Sequence, residues 1–261
     1  MGILNVTPDS FFDGGKFAGV DAALRQAEKM LSEGAAILDV GGASSRPGAA
    51  EVSEKEELER VVPVVEAIQR HFPKTIVSAD TWRASVAQAA VAAGASIVND
   101  ISGGQFDEQM FETVARLEVP YILMHIQGTP ATMQQAPHYD NVTLEVLDYF
   151  IQKIARLRAV GVKDIVLDPG FGFGKTVEHN YQLLKHLRVF ANTTGMPVLA
   201  GISRKSMICK VLKVSPEHAL NGTTALHVVA LQQGANILRA HDVKEAVEVV
   251  RLWEQLEQTG G

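Results

Sequence analysis

The chain has a single cysteine, Cys209, and this near absence excludes two classes of site. One thiol cannot form an intramolecular disulfide, and it cannot assemble a zinc site built from cysteine pairs. No apolar stretch reaches the roughly 20 residues that a membrane-spanning helix needs. The first residues, MGILNVTPDSFF, lack the basic start and long apolar core of a signal peptide. We therefore expect a cytoplasmic protein with no membrane partner.

An excess of positive charge is also lacking. The net charge of −6 argues against a generally basic surface, so we expect no nucleic-acid partner. Disorder requires low hydrophobicity and high net charge, whereas this chain is 46% hydrophobic and 21% charged. Its 261 residues match the roughly 250 of one (β/α)8 barrel.

Several catalytic motifs are missing. None of the eight histidines forms a His-Glu-x-x-His pair, and no Gly-x-Ser-x-Gly elbow occurs, so hydrolytic zinc and serine chemistry have no support. The stretch from Asp168 to Thr176 is similar to a nucleotide-binding loop, but Pro169 stands where the Walker A pattern needs its first glycine. We interpret this stretch as a Gly-rich loop that closes a binding pocket.

Short apolar runs alternate with longer segments of helical periodicity along the chain. The runs are Gly2–Val6, Ala36–Val40, Thr75–Ala79, Ser96–Asn99, Tyr121–Met124, Asp164–Leu167, Pro197–Ala200 and Asn236–Arg239. Their nearly continuous apolar character is typical of parallel strands that are buried on both faces.

Helical segments lie between the runs. They are Ala22–Glu33, Ser53–His71, Ala84–Ala93, Glu108–Leu117, Thr143–Val160, Val177–Phe190, Ser203–Gln233 and Val243–Gln258. Ser53 and Glu56 have the spacing of a capping box. Pro63 predicts a kink or a split in the second segment, because proline has no backbone donor. The seventh segment is expected to break near Ser215 and Pro216.

Eight strand–helix units without a composition break predict an α/β fold, a single (β/α)8 TIM barrel with a parallel β-barrel core. One domain would then span residues 1–261. An open doubly wound sheet is the competing architecture. The count of eight favours the barrel, and so do the polar residues that follow nearly every strand, because a barrel brings all those ends to one mouth.

The polar strand-end residues divide by chemistry. They are Asn5, Asp39, Asp80, Asn99, Asp100, His125, Asp168, Ser203, Arg204, Lys205, Arg239 and His241. Carboxylates can accept paired hydrogen bonds from the N–H edge of a heterocycle, whereas Arg46, Arg204, Arg239 and His241 suit a phosphate or pyrophosphate. Any single one of them could also be an ordinary polar loop residue. Met124 and Phe173 fit either the core or a flat ligand.

Two long Gly-rich connections, residues 7–15 and 41–48, follow the first two strands. Such loops can close on a substrate, but glycine and proline alone are equally typical of ordinary turns.

Seven motifs together resemble the dihydropteroate synthase family. They are Ile3–Phe11, Asp39–Gly42 with Ser45–Gly48, Ser78–Thr81, Val98–Gly103, Asp168–Lys175, Ser203–Lys205 and Arg239–Val243. The resemblance covers the chain from end to end. It implies a pterin-binding TIM barrel, usually a homodimer, that condenses 6-hydroxymethyl-7,8-dihydropterin pyrophosphate with p-aminobenzoate to give 7,8-dihydropteroate and pyrophosphate. It also implies a magnesium ion.

The resemblance implies a role for each matching residue. Asp80, Asn99, Asp168 and Lys205 resemble the pterin-binding set. Asn5, Arg239 and His241 resemble the pyrophosphate-binding set, with Asn5 near magnesium. The p-aminobenzoate pocket would be lined by Phe11, Ser45, Arg46, Pro47 and Ser206, and Asp13 would stabilise positive charge on the pterin. The predicted catalytic residues are Asp13, Asp80, Asp168, Lys205, Arg239 and His241, with Met124 and Phe173 added to the substrate-binding set.

Two residues of the second loop depart from the family pattern. The second loop of the family usually reads Gly-Gly-Glu-Ser-Thr-Arg-Pro-Gly, but here Ala43 replaces the acid and Ser45 the threonine. Two alternatives therefore stay open. A pterin-binding methyltransferase barrel would share Asp80, Asn99 and Asp168 and would need a corrinoid, and a degenerate paralogue would bind pterin or phosphate without catalysis.

Overall fold

A computed structural model describes residues 1–6, 16–43, 52–130, 132–133 and 135–259. Its strands are β1 (Gly2–Asn5), β2 (Ile37–Gly41), β3 (Ile76–Asp80), β4 (Ile97–Asp100), β5 (Tyr121–Met124), β6 (Ile165–Asp168), β7 (Leu199–Ala200) and β8 (Ile237–Leu238). Its helices are α1 (Lys16–Ser32), α2 (Glu54–His71), α3 (Ala84–Ala92), α4 (Met110–Leu117), α5 (Val142–Ala159), α6 (Val177–Lys185), α7 (Arg188–Thr194), α8 (Ser206–Leu212), α9 (Leu220–Gln232) and α10 (Val243–Gln258). A 3-10 turn spans Pro216–His218.

The strands form a closed parallel barrel. β1 to β6 pair in sequence order, and β7 pairs with β8. Parallel bridges join Leu167 to Val198 and Gly2 to Ala240, which connects β6 to β7 and β8 to β1. The (β/α)8 prediction is thereby confirmed, and the open doubly wound sheet was the wrong alternative.

Two strands are shorter than the sequence predicts. The runs beginning at Pro197 and Asn236 yield only two paired residues each, in β7 and β8. The side chain of Asn236 is one reason, because its Oδ1 accepts the Val198 backbone N–H at 2.9 Å and takes the place of a strand partner. Other strands run further than predicted, so that Asp80 and Asp168 are the last residues of β3 and β6.

The helix predictions hold with two corrections. The capping box is confirmed, since Ser53 Oγ accepts the Glu56 N–H and the Glu56 carboxylate accepts the Ser53 N–H. The expectation that Pro63 might split the helix was wrong: α2 runs through it, because valines on either side of it are fully buried and their packing offsets the missing hydrogen bond.

The segment predicted as one helix from Val177 to Phe190 is two helices, α6 and α7. Tighter turns at Leu187 and Val189 separate them, and both Leu187 and Phe190 are fully buried at the turn. The predicted break near Ser215 and Pro216 is confirmed by the end of α8 at Leu212 and by the 3-10 turn.

Most of the apolar core lies between the barrel and its helices. One cluster packs the side of β4 to β8 and another the side of β1 to β3. By contrast, Asp39, Ser78 and Asn99 are buried polar residues on the strands themselves. In the described part of the chain, no helix is both long and apolar enough to cross a bilayer.

Candidate active site

The predicted site residues that the structure describes lie at the carboxyl ends of the strands, at one mouth. Asn5, Asp80, Met124 and Asp168 end β1, β3, β5 and β6. Backbone pairing fixes their order around the mouth, since Asp80 pairs with both Gly41 and Asn99, and Met124 pairs with Asp168. Phe11, Asp13, Ser45, Arg46 and Pro47 lie outside the described residues.

Arg239 joins three strands at the centre of the mouth. Its Nε donates to Asp39 Oδ2 at 2.6 Å and its Nη2 donates to Asp80 Oδ2 at 2.6 Å. Asn99 Nδ2 donates to the same Asp39 oxygen at 3.0 Å. Two carboxylates thus surround one guanidinium, so the network keeps an excess negative charge when both are ionised.

Asp39 is the residue of this network that the predicted site set omits. It is fully buried, and its Oδ1 has no hydrogen-bond partner among the described residues. Its charge inside the second apolar run was a usable signal, but the sequence alone does not show that this side chain points into the barrel. A buried carboxylate oxygen without a donor is costly, so a ligand N–H or a water would be stabilised there.

Burial raises the pKa of Asp80 to about 7, against the opposing charge of Arg239. Burial also raises the pKa of Asp168, which the charge of Lys205 lowers. Carboxyl groups with perturbed pKa values that face a common mouth are typical of a functional site.

Asp168 and Lys205 form the opposite wall of the mouth. The Gly170 N–H donates to Asp168 Oδ1 at 2.8 Å, and Lys205 Nζ donates to the Phe171 carbonyl at 2.5 Å. Gly201 lies beside both side chains: a Cβ there would be 3.6 Å from Asp168 Oδ2 and 3.7 Å from Lys205 Nζ. An acceptor and a donor therefore lie close together on this wall.

Aromatic and apolar groups accompany these polar ones. Lys205 Nζ lies 4.7 Å from the centre of the Phe173 ring, a cation–π distance. Phe173 packs against a small buried cluster that contains Met124. Burial lowers the pKa of Lys205 to about 8, although the charge of Asp168 raises it. Both Met124 and Phe173 are therefore placed to contact a flat ligand beside Lys205.

The cationic residues at the mouth do not all have the same surroundings. Arg204 makes two hydrogen bonds to the Asp242 carboxylate, at 2.9 and 2.6 Å. Its guanidinium is thus bound to a carboxylate of the protein, which argues against the phosphate-binding role that the sequence suggested for it. His241 Nδ1 lies 3.1 Å from Ser203 Oγ. Ser206 is exposed at the start of α8. Arg239 is also held by carboxylates, those of Asp39 and Asp80, so the anion-binding role of Arg239 and His241 stays a prediction.

Two guanidiniums bind backbone carbonyls at Gly42 and Val52, on either side of the undescribed residues 44–51, a feature that sequence reasoning missed. Arg60 Nη1 donates to the Gly42 carbonyl at 3.0 Å, and Arg83 Nη2 donates to the Val52 carbonyl at 2.7 Å. Arg83 also pairs with Glu57, whose side chain is fully buried. No sequence motif signals these contacts, because the partners are backbone carbonyls 18 and 31 residues away.

The Gly-rich loop after β6 is expected to tolerate substitution poorly at Gly170. This glycine has a φ of +69°, and a Cβ there would lie 1.9 Å from the His125 carbonyl oxygen. We expect Gly170→Ala to lower the free energy of unfolding by about 2–4 kcal/mol, from backbone strain plus a clash with backbone. Urea unfolding followed by circular dichroism measures the change.

Gly195→Ala is the matched control for that substitution. Gly195 has the same φ of +69°, but a Cβ there would meet no atom within 4 Å. It should lose only the strain energy, about 1–2 kcal/mol. Equal losses in the two variants would contradict the close approach of Gly170 to β5.

Comparisons with known proteins agree on one family. A family model described as "Pterin binding enzyme" matches residues 1–241. A protein named dihydropteroate synthase from Escherichia coli strain K12 is 50% identical over 256 residues, which cover 97% of this chain and 90% of that protein. The methyltransferase alternative has no support among the relatives described here.

Two solved structures show the same likeness in three dimensions. Yersinia pestis dihydropteroate synthase with a sulfonamide drug complex has a TM-score of 0.93 and 48% identity, covering 99% of this chain and 94% of that one. Xanthomonas albilineans dihydropteroate synthase with 4-aminobenzoic acid has a TM-score of 0.91 and 42% identity, covering 98% and 92%.

Proposed function

The chain belongs to the pterin-binding enzyme family, among its dihydropteroate synthases, and from this premise we propose how its barrel mouth carries out the reaction. The reaction condenses 6-hydroxymethyl-7,8-dihydropterin pyrophosphate with p-aminobenzoate to give 7,8-dihydropteroate and pyrophosphate in folate biosynthesis. The enzyme is a transferase. The observation that carries the assignment of the site is that the carboxylates of Asp39, Asp80 and Asp168 share one mouth with the cations Lys205 and Arg239.

The pterin binds between the two walls of the mouth. Asp168 and Asp80 accept its ring N–H groups, Asn99 supplies both a donor and an acceptor, and Lys205 donates to a ring acceptor. Gly201 lies beside both Asp168 and Lys205. Phe173 and Met124 contact the ring, since both lie at this wall.

The bond from the methylene carbon to the pyrophosphate oxygen breaks as the oxygen takes the electron pair. Positive charge then grows on the pterin, and the carboxylates of Asp80 and Asp168 stabilise it, with Asp13 as a further candidate. The amine of p-aminobenzoate attacks the exposed carbon and loses a proton when the new C–N bond forms. Phe11, Ser45, Arg46, Pro47 and Ser206 are proposed to line the pocket that holds p-aminobenzoate.

Asn5, Arg239 and His241 are proposed to hold the pyrophosphate together with Mg²⁺. Magnesium usually keeps several waters and takes one or two protein oxygens plus substrate phosphates. The partly exposed Asn5 amide fits that mode, and no group of three His, Cys, Asp or Glu that could hold a metal occurs within the described residues. When bound, the ion supplies charge stabilisation for the departing pyrophosphate.

An assay of pyrophosphate release tests the proposed function. We expect release that depends on p-aminobenzoate and on the pterin substrate, and that falls at least about tenfold when Mg²⁺ is removed with EDTA and returns on its addition. Pterin binding without any release would favour the non-catalytic binding protein instead. Release unaffected by EDTA would contradict the magnesium proposal alone.

We also propose a cytoplasmic homodimer. Leu252 and Leu256 lie one turn apart on α10 and are 73% and 60% exposed, which supports an apolar contact with a second copy. Sedimentation velocity should give twice the mass of the chain, and a monomer at micromolar concentration would contradict this proposal.

A further inference from the structure

Lys175 ends the Gly-rich loop after β6, at the position of the lysine in the incomplete Walker A pattern. In a phosphate-binding loop that lysine reaches the ligand. Here the side chain is 3% exposed, and its ammonium turns back onto the loop that carries it. It is therefore not placed to reach a substrate phosphate.

The ammonium lies in a cage of four acceptors. Nζ is 3.0 Å from the carbonyl oxygens of both Gly170 and Phe173, 2.9 Å from His125 Nδ1 and 3.4 Å from the His125 carbonyl. Burial and the charge of Lys175 hold the pKa of His125 well below its usual value, so the imidazole is neutral and its Nδ1 accepts. Burial lowers the pKa of Lys175 to about 7, which the charge of Asp168 opposes.

Two of the three carbonyls in the cage, those of Gly170 and Phe173, belong to the loop that builds one wall of the pterin pocket. Gly170, whose carbonyl Lys175 binds, donates its N–H to Asp168. Phe173, whose carbonyl Lys175 also binds, places its ring beside Lys205. Without this donor, the His125 and Phe173 carbonyl oxygens and the His125 ring nitrogen would lose their lysine partner, while the Gly170 carbonyl would keep only the Phe173 N–H at 3.0 Å.

We propose that Lys175 is a positioning residue for the pterin pocket: its amino group acts as a built-in hydrogen-bond donor that holds the loop between Asp168 and Phe173 in its binding shape. The inference rests on the proposed assignment of the pterin to the wall of Asp168 and Lys205. It assigns no substrate contact to Lys175 itself.

Chemical rescue of Lys175→Ala tests the proposal. Propylammonium matches the atoms that this substitution removes, from Cγ to Nζ. We expect Lys175→Ala to raise the KM for the pterin pyrophosphate about 10- to 100-fold, the effect of one to two unpaired buried acceptors, while the KM for p-aminobenzoate changes less than about threefold. Propylammonium at about 100 mM should lower the raised pterin KM of Lys175→Ala by a factor of about five or more. Tetramethylammonium at the same concentration should leave that KM unchanged.

Two further variants complete the experiment. Lys175→Met fills the same space without a donor, so it should show the raised pterin KM and no rescue, and it keeps the measurement available if Lys175→Ala does not fold. Lys185→Ala on α6, an exposed lysine, should behave like the parent chain.

The outcomes separate the two proposals. A parent chain that releases no pyrophosphate contradicts the proposed function. An active parent chain whose Lys175→Ala and Lys175→Met variants keep the parental pterin KM, or are rescued equally by both amines, contradicts only the inference about Lys175. If both variants fail to fold, Lys175 is needed for the stability of the whole barrel and not for the shape of one loop. That result would also overturn the inference.

Discussion

Replacing Asp168 with Asn is expected to lower kcat/KM for the pterin substrate about 100- to 1000-fold with little change in stability. Asn has nearly the same shape, so it can still accept the Gly170 N–H through its amide oxygen. Its NH2 group would then stand where the second carboxylate oxygen, the one beside Gly201, now lies. A donor would face the ring N–H groups of the pterin, and the negative charge that stabilises the developing cation would be lost.

Steady-state kinetics and pterin binding by calorimetry measure this effect. Asp164→Asn is the matched control, since Asp164 lies just before the other end of the same strand and is exposed. That variant should retain parental rates. Retained pterin affinity and turnover in Asp168→Asn would contradict the assignment of the pterin to this wall.

The barrel and most of the mouth could be predicted because they depend on local pattern. Apolar runs buried on both faces fix the strands, and the parallel arrangement brings their carboxyl ends together. The same pattern places Asp80, Asn99, Asp168 and Lys205 at or just after the ends of strands, where the structure has them. Their mutual placement followed from strand order, which the pairing of β3 with β4 and of β5 with β6 bears out.

The hydrogen-bond partners of the charged side chains could not be predicted from the sequence. The sequence does not say that Arg204 binds Asp242, that Arg239 lies between two aspartates, or that Lys175 turns inward. The partners are 5 to 200 residues apart in the sequence, and packing of the whole barrel brings them together. A cationic side chain near a mouth therefore indicates an anion site only until its carboxylate neighbours are known.

Arg239 supplies the second large expected effect. Arg239→Met should lower the free energy of unfolding by about 3–5 kcal/mol, because it removes the only described cation bonded to the fully buried Asp39 carboxylate. Arg204→Met is the comparison. The Arg204–Asp242 pair is more exposed, with side chains 29% and 16% accessible, so its loss should cost about 1 kcal/mol. Urea unfolding measures both.

A double variant separates the structural role of Arg239 from its proposed role as a pyrophosphate ligand. Arg239→Met leaves two carboxylates without their cation, and Asp39→Asn removes the fully buried one, so the pair of substitutions should recover at least about 2 kcal/mol of the lost stability. Pyrophosphate binding should stay about tenfold or more below that of the parent chain in both the single and the double variant, because the cation itself is absent in each. If binding returns with stability, Arg239 acts on the anion only through the fold, and His241 and Asn5 remain as the described candidates for its ligands.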